Sequence, residues 1–162
     1  MQYSLILGLL ILLAVANGTP VVAKLLLGSG FSRPIDGNLA LWDGRPLFGA
    51  SKTIRGVLLS VLATTLSAPL LGLDLRIGAV VGATAMAGDL CSSFLKRRLG
   101  LAPSSKATGI DQIPESLLPS LACRHALSLT AVDVLAVTTL FLVGEILLSR
   151  LLFRLHFRDR PY

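Results

Sequence analysis

Charge is scarce in this chain of 162 residues: Asp, Glu, Lys and Arg make up 15% of it, against about a quarter in ordinary soluble domains. Carboxylates are scarcer still, nine against fifteen Lys and Arg, and cysteine and histidine occur twice each. Cys91 and Cys123 both sit inside apolar segments, which excludes a disulfide framework and a cysteine-based metal site. A Walker-type phosphate loop is missing too. Gly44 and Gly49 have its spacing, but Ala50 and Ser51 intervene before Lys52-Thr53, and no strand precedes them. There is no internal repeat and no low-complexity stretch. The net charge is +6 and the pI is near 10.0, yet no basic domain with interleaved aromatics is present, which sets nucleic-acid binding aside.

What is abundant is apolar sequence, 53% of residues, with a mean hydropathy of +0.75. The apolar residues fall in blocks long enough to cross a bilayer, which takes about 20 residues of helix. The chain reads as an all-α integral membrane protein with one domain, 1–162. Leu5 to Ala16 could pass for a signal peptide, but no basic residue precedes it and Lys24 follows, so it reads as a retained first span. Spans are expected at about 3–27, 56–73 and 77–95, with boundary errors of a few residues. The stretch 115–153 is too long for one span and carries Arg124-His125 near one end.

Charge decides how to divide it. If the 28–55 loop is cytoplasmic, it places Arg33, Arg45, Lys52 and Arg55 inside, and the 96–113 loop adds Lys96, Arg97, Arg98 and Lys106. Two spans after residue 114, at about 114–125 and 128–153, bring the tail cations Arg150, Arg154, Arg158 and Arg160 to the same side. The expectation is five spans, N-terminus outside and C-terminus cytoplasmic. The fourth is short, which implies tilt or a thin local bilayer.

Both large polar loops then meet at one membrane face. The first, around "DGRPLFGASKTIRG" (43–56), combines glycines with Asp43, Arg45, Lys52 and Arg55. Glycine lets backbone amides approach a phosphate. Lys52 and Arg55 are three apart, so they share a face if the second span begins there, at a helix N-terminus that favours anions. The same loop reads equally as a solvated juxtamembrane segment touching lipid phosphates. In "GDLCSSFLKRRLG" (88–100), Asp89, Ser93 and Lys96 fall on one helical face. An ionisable group within a span points to function, while a structural ion pair is the plain alternative. Lys96-Arg97-Arg98 alone needs no ligand, since cations suit a helix C-terminus. Asp111 in "TGIDQIPE" is either a helix cap or, with Asp89, half of a divalent-cation site. "ANGTP" (16–20) breaks the first span, either lining a cavity or packing. Asp133 is expected near the outer surface and Glu145 deeper, as a headgroup or ion-pair residue, with His125 interfacial.

In series, "ANGTP", "PIDG" before "DGRPLFGASKTIRG", "GDLCSSFLKRRLG" and "DQ" resemble the CDP-archaeol synthase family, membrane CTP-dependent cytidylyltransferases related to phosphatidate cytidylyltransferases. The match runs in order over 16–112, and the basic tail fits as well. The resemblance implies that lipid phosphate and CTP give CDP-lipid and pyrophosphate with Mg²⁺, at the cytoplasmic side of the cell membrane. It implies Asp89 and Asp111 as metal carboxylates, and Lys96, with them, as a catalytic group. Asn17, Asp43, Arg45, Lys52, Arg55, Ser93 and Arg97 would serve CTP or the lipid phosphate. The chain departs from the family pattern at Ile54, usually aromatic there, at Pro114, where a second acidic residue often sits, and over 100–110. Two rivals remain: a phosphatidate cytidylyltransferase making CDP-diacylglycerol, and a non-enzymatic lipid-binding or transport protein using Asp89 and Glu145. Pyrophosphate release with different lipid phosphates separates all three.

Overall fold

The structure is a computed structural model and describes residues 2–28, 30–102 and 107–154. Lys106, Arg158 and Arg160 lie outside the described residues. Among the described residues, five α-helices follow in order: α1 (Tyr3–Leu27), α2 (Ile54–Ser67), α3 (Leu75–Arg98), α4 (Gln112–Ala122) and α5 (Ala131–Arg154). A single 3-10 turn, Pro69–Leu71, extends α2. Among the described residues there is no strand, only isolated antiparallel bridges in the 28–53 segment.

Four of these helices, with α2 counted through its 3-10 turn, are long and apolar enough to cross a membrane. The exception is α4, expected as a short fourth span, which alone is too short to cross. With 11 residues it reaches about 17 Å, against a hydrocarbon layer of about 30 Å. Its sequence explains why it stays short and central. Gln112, Glu115, Ser116, Pro119 and Ser120 recur at helical spacing and are buried, while Ile113, Leu118 and Leu121 are exposed. A helix with its polar stripe inward and its leucines outward belongs inside a bundle surrounded by lipid. The buried hydroxyls are satisfied locally: Ser116 Oγ donates to Gln112 O and Ser120 Oγ to Ser116 O, each at 2.7 Å.

Small residues bring the helices close. A Cβ at Gly78 would lie 2.7 Å from Thr64 O, and one at Gly82 would lie 2.9 Å from Val61 Cα. This is the small-residue packing of membrane helix pairs, which gain little from hydrophobic burial among lipid tails. The break at "ANGTP" does both things expected of it: Asn17 and Gly18 line a cavity, and the carbonyl it frees is met by packing. Pro20 has no N–H to give Ala16 O, one turn back, and Ser60 Oγ of α2 donates to that carbonyl at 2.6 Å. Both residues are fully buried, so the bond spares α1 an unsatisfied carbonyl worth about 1–3 kcal/mol.

At one end of the bundle α1 and α5 begin side by side. Thr130 and Asp133 form a reciprocal cap: Asp133 Oδ2 accepts from Thr130 N at 3.0 Å and Thr130 Oγ1 accepts from Asp133 N at 3.2 Å. Asp133 Oδ1 also accepts from Gln2 N, at 3.1 Å. Asp133 therefore has a structural role. The 30–53, 99–102 and 107–111 segments gather at the other end.

Candidate functional site

Among the described residues, three ion pairs organise that end. Lys52, just before the Thr53 cap of α2, places Nζ 2.5 and 2.6 Å from the two carboxylate oxygens of Asp89 on α3. Lys96, seven residues on, places Nζ 2.6 Å from Asp111 Oδ1, a close ion contact rather than an aligned hydrogen bond. Arg98 Nη1 donates to Asp43 Oδ1 at 2.7 Å. The shared face of Asp89, Ser93 and Lys96 is present, and Ser93 and Lys96 are buried on it. Asp89 turns to Lys52 and Lys96 turns to Asp111, so the two carboxylates each face a lysine.

Arg97 stands beside Asp111 and is only 3% exposed. Its Nη2 donates to Ala102 O at 2.8 Å, while its Nε and Nη1 have no partner among the described residues. A buried guanidinium with two idle donors is costly unless something anionic completes it.

The 35–49 segment is a built loop rather than a slack one. Asp36 Oδ2 accepts from the N–H groups of Phe48 and Gly49, at 2.9 and 3.1 Å, and Oδ1 from that of Asn38, at 3.0 Å. Partial burial alone would raise the Asp36 carboxyl, but these backbone donors outweigh it and hold it below the usual carboxylate range. Sequence reasoning quoted "PIDG" without giving Asp36 a role, and its fan of backbone donors is not visible in spacing. Arg45 Nη1 donates to Arg97 O and Arg98 O, at 3.3 and 2.7 Å, capping α3. In return Arg98 Nη2 donates to Pro46 O at 2.7 Å.

Arg55 differs from expectation. It does not share a face with Lys52, because Lys52 precedes the helix and Arg55 lies within it. Its guanidinium donates to Gly28 O and Gly30 O, closing the C-terminal end of α1. Asn17 is also apart from the ion pairs: its Nδ2 donates to Leu13 O at 3.1 Å. It lines a cavity of about 500 Å³ between α1 and α5 with Gly18, Phe141, Gly144 and Glu145.

Glu115 is a site residue that the sequence reading passed over. It is buried, with its carboxyl beside that of Asp89 and in the field of Lys52 and Glu145. The signal was present one residue beyond Pro114, where the resemblance placed a second acid. Gly88 makes the contact possible, for a Cβ there would lie 2.4 Å from Pro114 O and 2.8 Å from Glu115 N. Gln112 links the site to α5, its Nε2 donating to Glu145 Oε2 at 3.3 Å.

Fold and site together define a polytopic helical membrane protein with a buried, cation-rich polar centre at one end of its bundle. The CDP-archaeol synthase (CarS-like) family matches residues 73–162. CDP-archaeol synthase of Sulfurisphaera tokodaii is 33% identical over 154 residues, covering 91% of this chain and 89% of that protein. That of Aeropyrum pernix is 38% identical over 122 residues, covering 72% and 66%. A solved intramembrane enzyme for archaeal membrane lipid biosynthesis superposes with a TM-score of 0.75 at 31% identity, covering 88% of this chain and 90% of that one. The chain belongs to the CDP-archaeol synthase family.

Proposed function

We propose that the chain transfers a cytidylyl group from CTP to a membrane lipid phosphate, giving CDP-lipid and pyrophosphate. The observation that carries this beyond family membership is Arg97, buried beside the Lys96–Asp111 pair with two donors unpartnered among the described residues. In the reaction a lipid phosphate oxygen attacks the α-phosphorus of CTP. The new P–O bond forms as the bond between the α-phosphorus and its bridging oxygen breaks, and pyrophosphate leaves with that electron pair. The attacking phosphate is already anionic, so no general base is required. The difficulty is bringing two anions together, which positioned cations overcome by neutralising charge and aligning the attack.

Lys52 and Lys96 are held by Asp89 and Asp111 until a triphosphate draws them away, and Arg97 offers its idle donors to the same anion. The carboxylates thereby released are hard oxygen donors of the kind Mg²⁺ takes alongside substrate phosphates. Asp89 and Asp111 would hold it, with Glu115 adjoining, and when bound it would supply charge neutralisation at the transferring phosphates. Ser93 and Arg45 would border the nucleotide, with Asp43 and Arg55 acting through the loops they fix. The cavity between α1 and α5 fits a lipid chain, with Asn17 and Glu145 at its polar positions.

The cationic end of the bundle would face the cytoplasm, the N-terminus lying outside and the C-terminus inside the cell membrane. A reporter active only in the cytoplasm, fused after Tyr162, is expected to be active. A silent fusion that expresses well refutes the orientation.

The direct test offers purified protein CTP, Mg²⁺ and a panel of lipid phosphates. Pyrophosphate release is expected with archaetidic acid. Release only with phosphatidate would reassign the lipid, and release with none would overturn the enzymatic reading.

A further inference from the structure

At the turn of the 38–47 hairpin, beside the Asp43 that Arg98 holds, an aromatic side chain stands without a partner among the described residues. Trp42, the single tryptophan of the chain, is 90% exposed. Leu39 is exposed on the same hairpin and Phe31 on the segment leading to it. Such exposure would be unremarkable on a slack loop, but this hairpin is fixed. Leu41 N donates to Arg45 O and Leu47 N to Leu39 O, at 3.0 and 2.9 Å, and Gly44 N closes the turn onto Leu41 O at 2.9 Å. Asp36 holds the base of the hairpin, and Arg45, Arg98 and Asp43 clamp it to the end of α3. The fold therefore spends a set of charged contacts on presenting a tryptophan outward.

Two observations say what covers it. The hairpin is seated at the basic end of a spanning helix, the level at which a transmembrane segment leaves the hydrocarbon. It also continues an exposed apolar surface: Leu95 and Leu99 are exposed on and just past the last turn of α3, and Gly100 packs against the Arg45 guanidinium. Arg33 is exposed on the approach to the hairpin and offers a cation to lipid phosphates. Tryptophan, with an apolar ring and one N–H, prefers that boundary to both water and hydrocarbon.

We propose that the 38–47 hairpin is a membrane-contacting arm, with Trp42 seated among the lipid headgroups at the membrane face where the polar site lies. The arm would fix the height of the Asp36 loop, and of Lys52 beyond it, relative to the lipid phosphates. Stacking of Trp42 on a nucleotide base is the competing role of the same side chain.

Because Trp42 is the only tryptophan, its fluorescence reports this position alone. The full chain is reconstituted in bilayers of lipids brominated close to the headgroup, and separately in unbrominated bilayers. Headgroup-level bromine is expected to remove most of the emission, while aqueous acrylamide removes little. A Trp42→Phe variant, losing the emission, confirms its source. Full quenching by acrylamide with none from brominated lipid would overturn the proposal, as would emission quenched by CTP and indifferent to bromine.

Discussion

Asp89→Asn is expected to be folded and inactive. The substitution keeps the shape of the side chain and removes its charge, so Lys52 loses the partner it holds at 2.5 Å. Losing one partner of a buried ion pair commonly costs several kcal/mol, because the other charge is stranded. Here Lys52 is not stranded, since Glu115 lies within its field beside Asp89. Melting in detergent is therefore expected to fall only slightly. Turnover is expected to fall by at least 100-fold, and the rise in melting temperature on adding CTP with Mg²⁺ is expected to shrink. A lost charge-assisted contact alone accounts for about 1.5–3 kcal/mol, or roughly 10- to 100-fold, before any loss of alignment. Asp111→Asn is expected to be equally inactive but less stable. Its lysine, Lys96, is more deeply buried and Arg97 adjoins, so two cations lose their counter-charge. If Asp89→Asn remains active at ordinary Mg²⁺, or melts earlier than Asp111→Asn, the assigned roles are wrong.

The second large effect is expected from a single methyl group. Gly88→Ala would place Cβ 2.4 Å from the carbonyl oxygen of Pro114 and 2.6 Å from its carbon. These are backbone atoms, so α4 must move rather than a side chain rotate. Overpacking of this kind costs about 1–3 kcal/mol. The functional loss is expected to exceed the loss of stability, because α4 carries Glu115 and begins at Asp111. A shift of about 1 Å between catalytic groups can cost about 100-fold in rate. The expected variant folds, melts somewhat earlier, and loses about two orders of magnitude in kcat/KM. Wild-type kinetics would mean that the α3–α4 spacing does not set the site.

The long helices were legible because each is an apolar block of bilayer length, and the division of 115–153 was legible in charge. The helix that divides it was expected as a short fourth span, and its 11 residues are too few to cross alone. Its polar residues do not mark a loop or a surface: they form the inward stripe of a short helix, a reversal that hydropathy alone reads as weakness. At the site, residue types were legible and pairings were not. Asp89 stood out as an acid in a span, but its partner is Lys52, 37 positions away, and only folding reveals that. Glu115 was hidden by register. With proline at 114, the acid that meets Asp89 comes one residue later, and the close approach at Gly88 lets its carboxyl reach. Asp36 was hidden because its partners are backbone amides, which carry no sequence signature. Arg55 looked like a phosphate ligand by spacing, yet it closes the end of α1.

The bond from Ser60 to the carbonyl that Pro20 leaves open has a consequence for biogenesis. A nascent chain carrying α1 alone holds an unmet carbonyl in the middle of an apolar helix, with nothing in the lipid to answer it. The hydroxyl that answers it is synthesised about forty residues later, after the whole polar loop. The first helix is thus most comfortable in the wetter environment of the insertion machinery until the second arrives. The two would then enter the bilayer as a pair, drawing the intervening segment to its final face in one step.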